Sequence, residues 1–235
     1  MQTRNCTFIK AIEDLSGNKF KKAVAIARAK PKTAQKKIEY FPDHTSAYKT
    51  LMERMAGWLY VTGWFYKDAK GYPVYCVYRF ERNGDKSYRP IGQEKGKGWF
   101  IGRPKCKLPV YNLTNILNSR NETVWIVEGE KPCDALTEIG LLATTSAGGA
   151  NSARGTDWGT LAGRKIIVWA DNDKSGLQYA HDIQKILSKE DLTIWQVPDM
   201  KEKEDAYEWV QSRKGKNNKQ MLQELRDLWG KREKS

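Results

Sequence analysis

The sequence predicts an α/β fold, a parallel sheet flanked by helices, preceded by a small, basic, strand-rich α+β unit. Three observations predict it. From residue 119 onward, short apolar runs alternate with helical patterns, as a parallel sheet with crossover helices requires. Upstream, "GWFYKDAKGYPVYCVYRF" alternates aromatic and β-branched residues about the turn "KDAKG", as a β-hairpin does. The charge is also partitioned: residues 1–118 carry 23 Lys/Arg against 9 Asp/Glu, residues 119–212 carry 10 against 16, and residues 213–235 carry 8 against 3.

Four segments follow from these shifts. Residues 1–48 are polar and Lys-rich, with a helical pattern in "FKKAVAIARAK" and a loop through "KPKTAQKK". Residues 49–118 form the basic, strand-rich unit; "ERNGDKSYRPIG" adds a second turn at Asn83-Gly84, and "EKGKGWFIGRPKCKLPVYNL" reads as loop, short strand and loop. Residues 119–212 hold the alternating pattern. "TVWIVEGE" is a buried strand, and "PCDALTEIG" a helix with Pro in its first turn and Gly140 at its end. "LLATTS" is a short strand before the loop "AGGANSARG", and "KIIVWADND" is the central strand. "SGLQYAHDIQKILSKE" places Leu177, Ala180, Ile183, Ile186 and Leu187 on one helical face; "LTIWQVP" is a further strand and "DAYEWVQS" a short helix. Residues 213–235 read as a basic amphipathic helix.

The totals narrow the function. A net charge of +13 over 235 residues points to a polyanionic partner, and an acidic centre between basic ends fits phosphates at the ends and a cation in the middle. Cys6, Cys76, Cys106 and Cys133 are too scattered for a zinc ribbon or a small disulfide scaffold, so a reduced, cytoplasmic setting is expected. No run of 18 apolar residues and no signal-peptide core occurs, so no membrane partner is expected. The G-x-x-x-x-G-K-[ST] loop of a helicase motor is absent; a replicative helicase working with this protein would be a separate chain.

The chemistry is expected at strand ends, because ligands of a parallel sheet gather outside its carboxyl edge. Glu128 follows "VWIV", and Asp171 with Asp173 follows "IIVWA". If those strands are neighbours, three carboxylates converge, and Mg²⁺ or Mn²⁺ would relieve their repulsion. The plainer reading of "DND" is an Asx turn and helix cap. Lys131, Gly148, Gly149, Arg154 and Lys174 are the candidates for nucleotide or phosphate contact; a solvated lysine and a simple connecting loop are the alternatives.

These residues carry a resemblance. "IVEGEKPCDAL", "TTSAGGANSARGTDWGTLAGRKIIVWADNDKSG" and "KEDAYEWV" resemble, in order and spacing, the three blocks of a Toprim domain of the phage and plasmid DNA primase type. The resemblance implies a Rossmann-like catalytic domain over 119–212. It implies a nucleotidyltransferase that makes primers on single-stranded DNA from nucleoside triphosphates. Glu128 would act in acid/base or metal-ligand chemistry, Asp171 and Asp173 as metal ligands, and Asp205 as a further acid before the terminal helix. Relatives often carry an Asp four residues after the first Glu; here that position is Pro132, with Asp134 two residues later. DNA contact is expected from Lys86, Arg89, Lys95, Lys97, Arg103, Lys105 and Lys107, interleaved with Tyr88, Trp99 and Phe100. A metal-dependent nuclease and a non-catalytic DNA-binding replication module are the rival readings.

Overall fold

The computed structural model describes residues 37–148, 150–198 and 200–232. The helical pattern at 20–30, nearly all of the loop after it, and Cys6 and Gly149 lie outside the described residues. From Glu39 onward the chain packs as one compact unit.

The unit opens with α1 (His44–Arg54), which crosses position 48. Asp43 starts it, its side chain accepting from the Ser46 N–H at 2.7 Å. Strands β1 (Leu59–Lys67), β2 (Pro73–Arg82), β3 (Asp85–Glu94) and β4 (Gly98–Ile101) then form an antiparallel meander in that order. The first hairpin turn is held by Asp68, whose Oδ1 accepts from the N–H groups of Lys70 and Tyr72, both at 2.9 Å. The second is Asn83-Gly84, with φ of 50° and 87°; both residues adopt the left-handed backbone that a two-residue hairpin needs. On one face Cys76, Tyr78, Phe80, Ile91 and Trp99 pack beneath Ala47 and Leu51 of α1. On the other, Trp64, Tyr66, Tyr75 and Val77 pack on Leu108 and Ala147.

A two-residue parallel pair, β5 (Leu108–Pro109) with β8 (Thr156–Asp157), and α2 (Leu113–Asn118) lead into the second layer. Here β6 (Val124–Ile126), β7 (Ala143–Thr144), β9 (Lys165–Trp169) and β10 (Asp191–Trp195) form a fully parallel sheet in the order β10-β9-β6-β7. Helix α3 (Glu130–Glu138) joins β6 to β7, and α4 (Lys174–Ile186) joins β9 to β10. The chain thus leaves the central pair β6/β9 in opposite directions. With right-handed crossovers this sends α3 and α4 to opposite faces and opens a switch point between β6 and β9.

Alternation along the strands supplies both faces. Ile126, Ile166 and Val168 meet Tyr179, Ala180, Ile183 and Leu187 on the α4 side. Trp125, Ile167, Trp169 and Trp195 meet Cys133 and Leu136 of α3, together with α5 (Ala206–Gln211) and α6 (Asn218–Arg232). Trp169 is central to this second face: its ring lies 5.6 to 6.1 Å from those of Trp125, Trp195 and Trp209. Ile186, expected on the buried face of α4, is exposed, and Tyr179 is buried instead. The apolar stripe continues through Leu187, and Tyr179 occupies the position four residues before Ile183. Among the described residues no helix is long and apolar enough to cross a membrane.

Because Trp169 is fully buried among three other indoles, Trp169→Ala is expected to lower unfolding stability by roughly 3–5 kcal/mol. Urea titration followed by tryptophan fluorescence reads the loss; less than about 1 kcal/mol would mean the face tolerates the cavity.

Candidate functional site

The carboxyl ends of β6 and β9 lie side by side, with Ile126 in register with Val168. Both strands run on a few residues before turning, so Glu128 and Asp171 emerge together above the switch point. Gly129, at φ +101°, makes the turn into α3, and its N–H donates to Thr145 Oγ1 at 2.9 Å. That backbone suits glycine. Beyond β9, Asp173 caps α4, its Oδ1 accepting from the Gly176 N–H at 2.8 Å. A Cβ on Gly176 would fall 2.6 Å from Asp171 Cβ and 2.7 and 2.8 Å from its carbonyl oxygen and nitrogen. The spacing D-x-D-x-x-G therefore encodes a cap and the close approach of the helix to the first aspartate.

Asn172, between the acids, has its own task. Its Nδ2 donates to the carbonyls of Met200 at 2.7 Å and Lys201 at 3.1 Å. Its backbone N–H donates to Glu204 O, and its carbonyl accepts from the Lys203 N–H, both at 3.0 Å. These bonds hold the 200–204 turn against the end of β9 and bring Asp205 towards Asp171. Asp205 caps α5, accepting from the N–H groups of Tyr207 at 2.6 Å and Glu208 at 3.1 Å, while Glu208 reaches back to the Asp205 N–H at 3.2 Å.

The cluster is electrostatically loaded. Burial, reinforced by the charges of Asp205, Glu128, Asp173 and Glu208, pushes the Asp171 carboxyl up to about 8. Burial, then the charge of Asp173, raises Glu128. Burial raises Asp205 too, while its more exposed partner Glu208 is held low by their hydrogen bond. Glu128 Oε2 and Asp171 Oδ1 are buried with no hydrogen-bond partner. A buried, unpartnered carboxylate oxygen at the end of each of two neighbouring strands is chemically suited to a hard divalent cation, water and substrate oxygens completing its shell. Among the described residues, no three acidic, His or Cys side chains are placed so that they could hold a metal ion, so the expected convergence of Glu128, Asp171 and Asp173 on one cation is not seen in this arrangement.

A cleft of about 470 Å³ runs beside the acids. Glu128, Gly129, Lys131, Gly148, Asp205 and Glu208 line one wall; Trp64, Val77, Arg79, Lys86 and Tyr88 of the antiparallel sheet line the other. Arg79 and Tyr88 are cross-strand partners, as are Glu81 and Lys86, so they share this sheet face. Sequence reasoning passed over Arg79, whose only distinguishing mark is its register with Tyr88. Arg79 pairs with Glu81, while its Nε is buried and unpartnered.

The remaining candidates separate. Lys131 Nζ lies 3.3 Å from the centre of the Tyr207 ring. Arg154 and Lys174 are exposed, and Gly148, at φ +95°, faces the cleft. Lys86, Arg89, Lys95, Lys105 and Lys107 are exposed, and Lys97 pairs with Glu94 at 2.6 Å. The Arg103 guanidinium is engaged with the carbonyls of Ala147 and Gly155, where it braces the glycine loop. Tyr88 is 48% exposed, whereas Trp99 and Phe100 are core. Pro132 is buried in the first turn of α3, and Asp134 does not join the cluster: its two oxygens accept from Trp64 Nε1 at 2.8 Å and Tyr111 OH at 2.9 Å.

No protein-family model matches the chain, and no curated protein matches it in sequence. Among solved structures it is similar to the primase fragment of the bacteriophage T7 primase-helicase protein, at 18% identity and a TM-score of 0.50, over 74% of this chain and 71% of that one. A DNA primase domain from Pseudomonas aeruginosa matches at 16% identity and a TM-score of 0.46, over 74% of this chain and 60% of that one. The Aquifex aeolicus primase, in its zinc-binding and RNA polymerase domains, matches at 18% identity and a TM-score of 0.44, over 91% of this chain and 56% of that one. The likeness to the T7 fragment is one of fold, a parallel sheet with helices beside an antiparallel unit.

The raised carboxyl of Asp171 fixes a pH dependence. Its folded value of about 8 lies above the ordinary 3.8, so the folded state binds the extra proton between those values. The contribution of Asp171 to the stability of the metal-free protein therefore falls as pH rises from about 4 to about 8. Asp171→Asn is expected to be more stable than wild type at pH 8 in chelator, by on the order of a few kcal/mol, and level with it near pH 4. Thermal melts across pH test this; a variant less stable than wild type at pH 8 contradicts it.

Proposed function

We propose that this protein is a Toprim-type nucleotidyltransferase of the DNA primase kind, joining nucleotides on a single-stranded DNA template with Mg²⁺ or Mn²⁺. The observation that carries the reading is one buried, unpartnered oxygen on each of Glu128 and Asp171 at the ends of neighbouring strands, Glu128 also lining a cleft whose far wall holds Arg79 and Lys86. The order of the three sequence blocks and the fold likeness to the T7 primase fragment support it.

In this reading Glu128, Asp171 and Asp205 hold the cation, with Asp173 contributing the oxygen not used as a helix cap. A bound cation lowers the pKa of an attacking 3′-hydroxyl and offsets charge developing on the phosphate. If Glu128 is not a cation ligand, the upward shift that burial gives its carboxyl suits a group that takes the proton from that hydroxyl. Arg79 and Lys86 attract phosphates from the opposite wall, and the exposed ring of Tyr88 between them offers a surface on which an unpaired base stacks. Lys95 and Lys107, with the nearby Lys105, supply a second basic patch around a separate hollow beside the β3–β4 turn, and a helicase acting with the chain would be a separate protein.

A second reading is a non-catalytic DNA-binding replication module. The replacement of an acid by Pro132, and the engagement of both Asp134 oxygens elsewhere, favour it. Incubation of a labelled single-stranded template with nucleoside triphosphates and each metal separates the possibilities. Nucleotide-dependent products support the primase, and shortening of the template supports a nuclease. Binding that survives EDTA, without product under any metal, supports the module.

Asp171→Ala and Glu128→Gln are expected to cut product formation by at least about 100-fold while template affinity stays within about threefold. A comparable fall in affinity would mean that the acids are structural. Charge reversal at Lys95, Lys105 and Lys107 is expected to weaken template binding and to flatten its salt dependence by roughly 0.7 in the log–log slope for each phosphate no longer neutralised. An unchanged slope would move the nucleic-acid face elsewhere.

A further inference from the structure

The acids of "EGEKPCD" outside the cluster form a second arrangement. Strand β1 presents Trp64 and Tyr66, two residues apart, to α3, which presents Asp134 and Glu130, four residues apart. Trp64 Nε1 donates to Asp134 Oδ2 at 2.8 Å, and Tyr66 OH donates to Glu130 Oε1 at 2.7 Å. Strand period two is thereby matched to helix period 3.6. Tyr66 is fully buried and Glu130 only 7% exposed, so this pair lies inside the seam between the two sheets. A carboxylate buried there requires a donor, and the phenol provides it.

The same hydroxyl lies 3.2 Å from the Ser146 carbonyl. On the far side of Ser146, Tyr179 OH lies 3.1 Å from Ser146 Oγ and accepts from its N–H at 3.3 Å. Tyr179 belongs to α4, the helix that Asp173 caps. Glu130 opens α3 and follows Gly129, the turn that sets the direction of Glu128. One buried hydroxyl therefore touches both the helix start beside Glu128 and the segment that braces α4.

We infer that Tyr66 and Glu130 are positioning residues for Glu128: their hydrogen bond fixes where α3 begins, and so where the Glu128 carboxylate stands relative to Asp171. Tyr66 does not line the cleft, and Glu130 borders it with its Oε1 taken by Tyr66; neither is assigned as a cation ligand. The inference rests on the proposed reading of Glu128 and Asp171 as the cation-holding pair and adds the device that keeps them in register. Groups that orient ligating side chains set affinity through geometry rather than charge.

Mn²⁺ titration of the 235-residue chain, followed by electron paramagnetic resonance, tests it alongside the Mg²⁺ dependence of primer synthesis. Tyr66→Phe is expected to weaken Mn²⁺ binding about tenfold and to raise the Mg²⁺ concentration for half-maximal synthesis by a similar factor. Glu130→Gln keeps an oxygen that accepts from Tyr66 and is expected within about twofold of wild type. If Tyr66→Phe does not fold, Glu130→Ala takes its place with the same expectation. Wild-type Mn²⁺ affinity in the folded Tyr66→Phe protein, with only its melting temperature lowered, overturns the inference, as does a Glu130→Gln defect equal to that of Tyr66→Phe. A wild-type protein that binds no Mn²⁺ overturns the proposed function as well, which keeps the two failures apart.

Discussion

Two carboxylate oxygens, on Glu128 and Asp171, are held out of water with nothing to donate to them. An unpaired buried charge costs several kcal/mol, so the surrounding structure must either protonate these groups or supply a cation. Protonation is the first response: burial and the neighbouring acids push the Asp171 carboxyl up to about 8. The rest of the parallel-sheet layer enforces this arrangement. Parallel strands put both acids at one edge, and the reversal of chain direction between β6 and β9 leaves space above them. Gly176 permits the approach of α4, and Asn172 draws in the turn that precedes Asp205.

The antiparallel sheet is the complement of that acid edge. Its two faces have separate duties, set by alternation alone. One is sealed by α1. The other is divided: Trp64, Tyr66, Tyr75 and Val77 are pressed into the seam, while Arg79, Lys86 and Tyr88, further along the same face, stay open to the cleft. Arg79 and Lys86 are thus brought opposite Glu128, Asp205 and Glu208, across a cleft of about 470 Å³. A polyanion lying between a basic wall and a metal-loaded acid edge would be attracted from both sides.

Much of this was legible in the sequence, for identifiable reasons. The Asn83-Gly84 turn, the runs "VWIV" and "IIVWA", and the glycine after "DND" are local signals whose meaning does not depend on distant contacts. Helix α1 was less visible because only Ala47 and Leu51 form its buried stripe, although Asp43 was itself an available N-cap signal. The task of each charge was legible least. Arg103 and Lys86 look alike on paper, yet one braces carbonyls of the glycine loop and the other faces the cleft. Asp134 looked available for the acid cluster, but its fate depended on Trp64, seventy residues earlier. Sequence spacing places acids on elements; only packing decides which of them acquires a donor.

Whether the Glu128–Asp171 pair is built around a cation can be read from anomalous diffraction by crystals of the protein soaked in Mn²⁺. An anomalous peak is expected within ligand distance of both carboxylates, with Asp205 or Asp173 adjoining. Density showing those two side chains turned apart, or each bonded to a protein donor with no peak between them, would refute the cation-holding role of the pair.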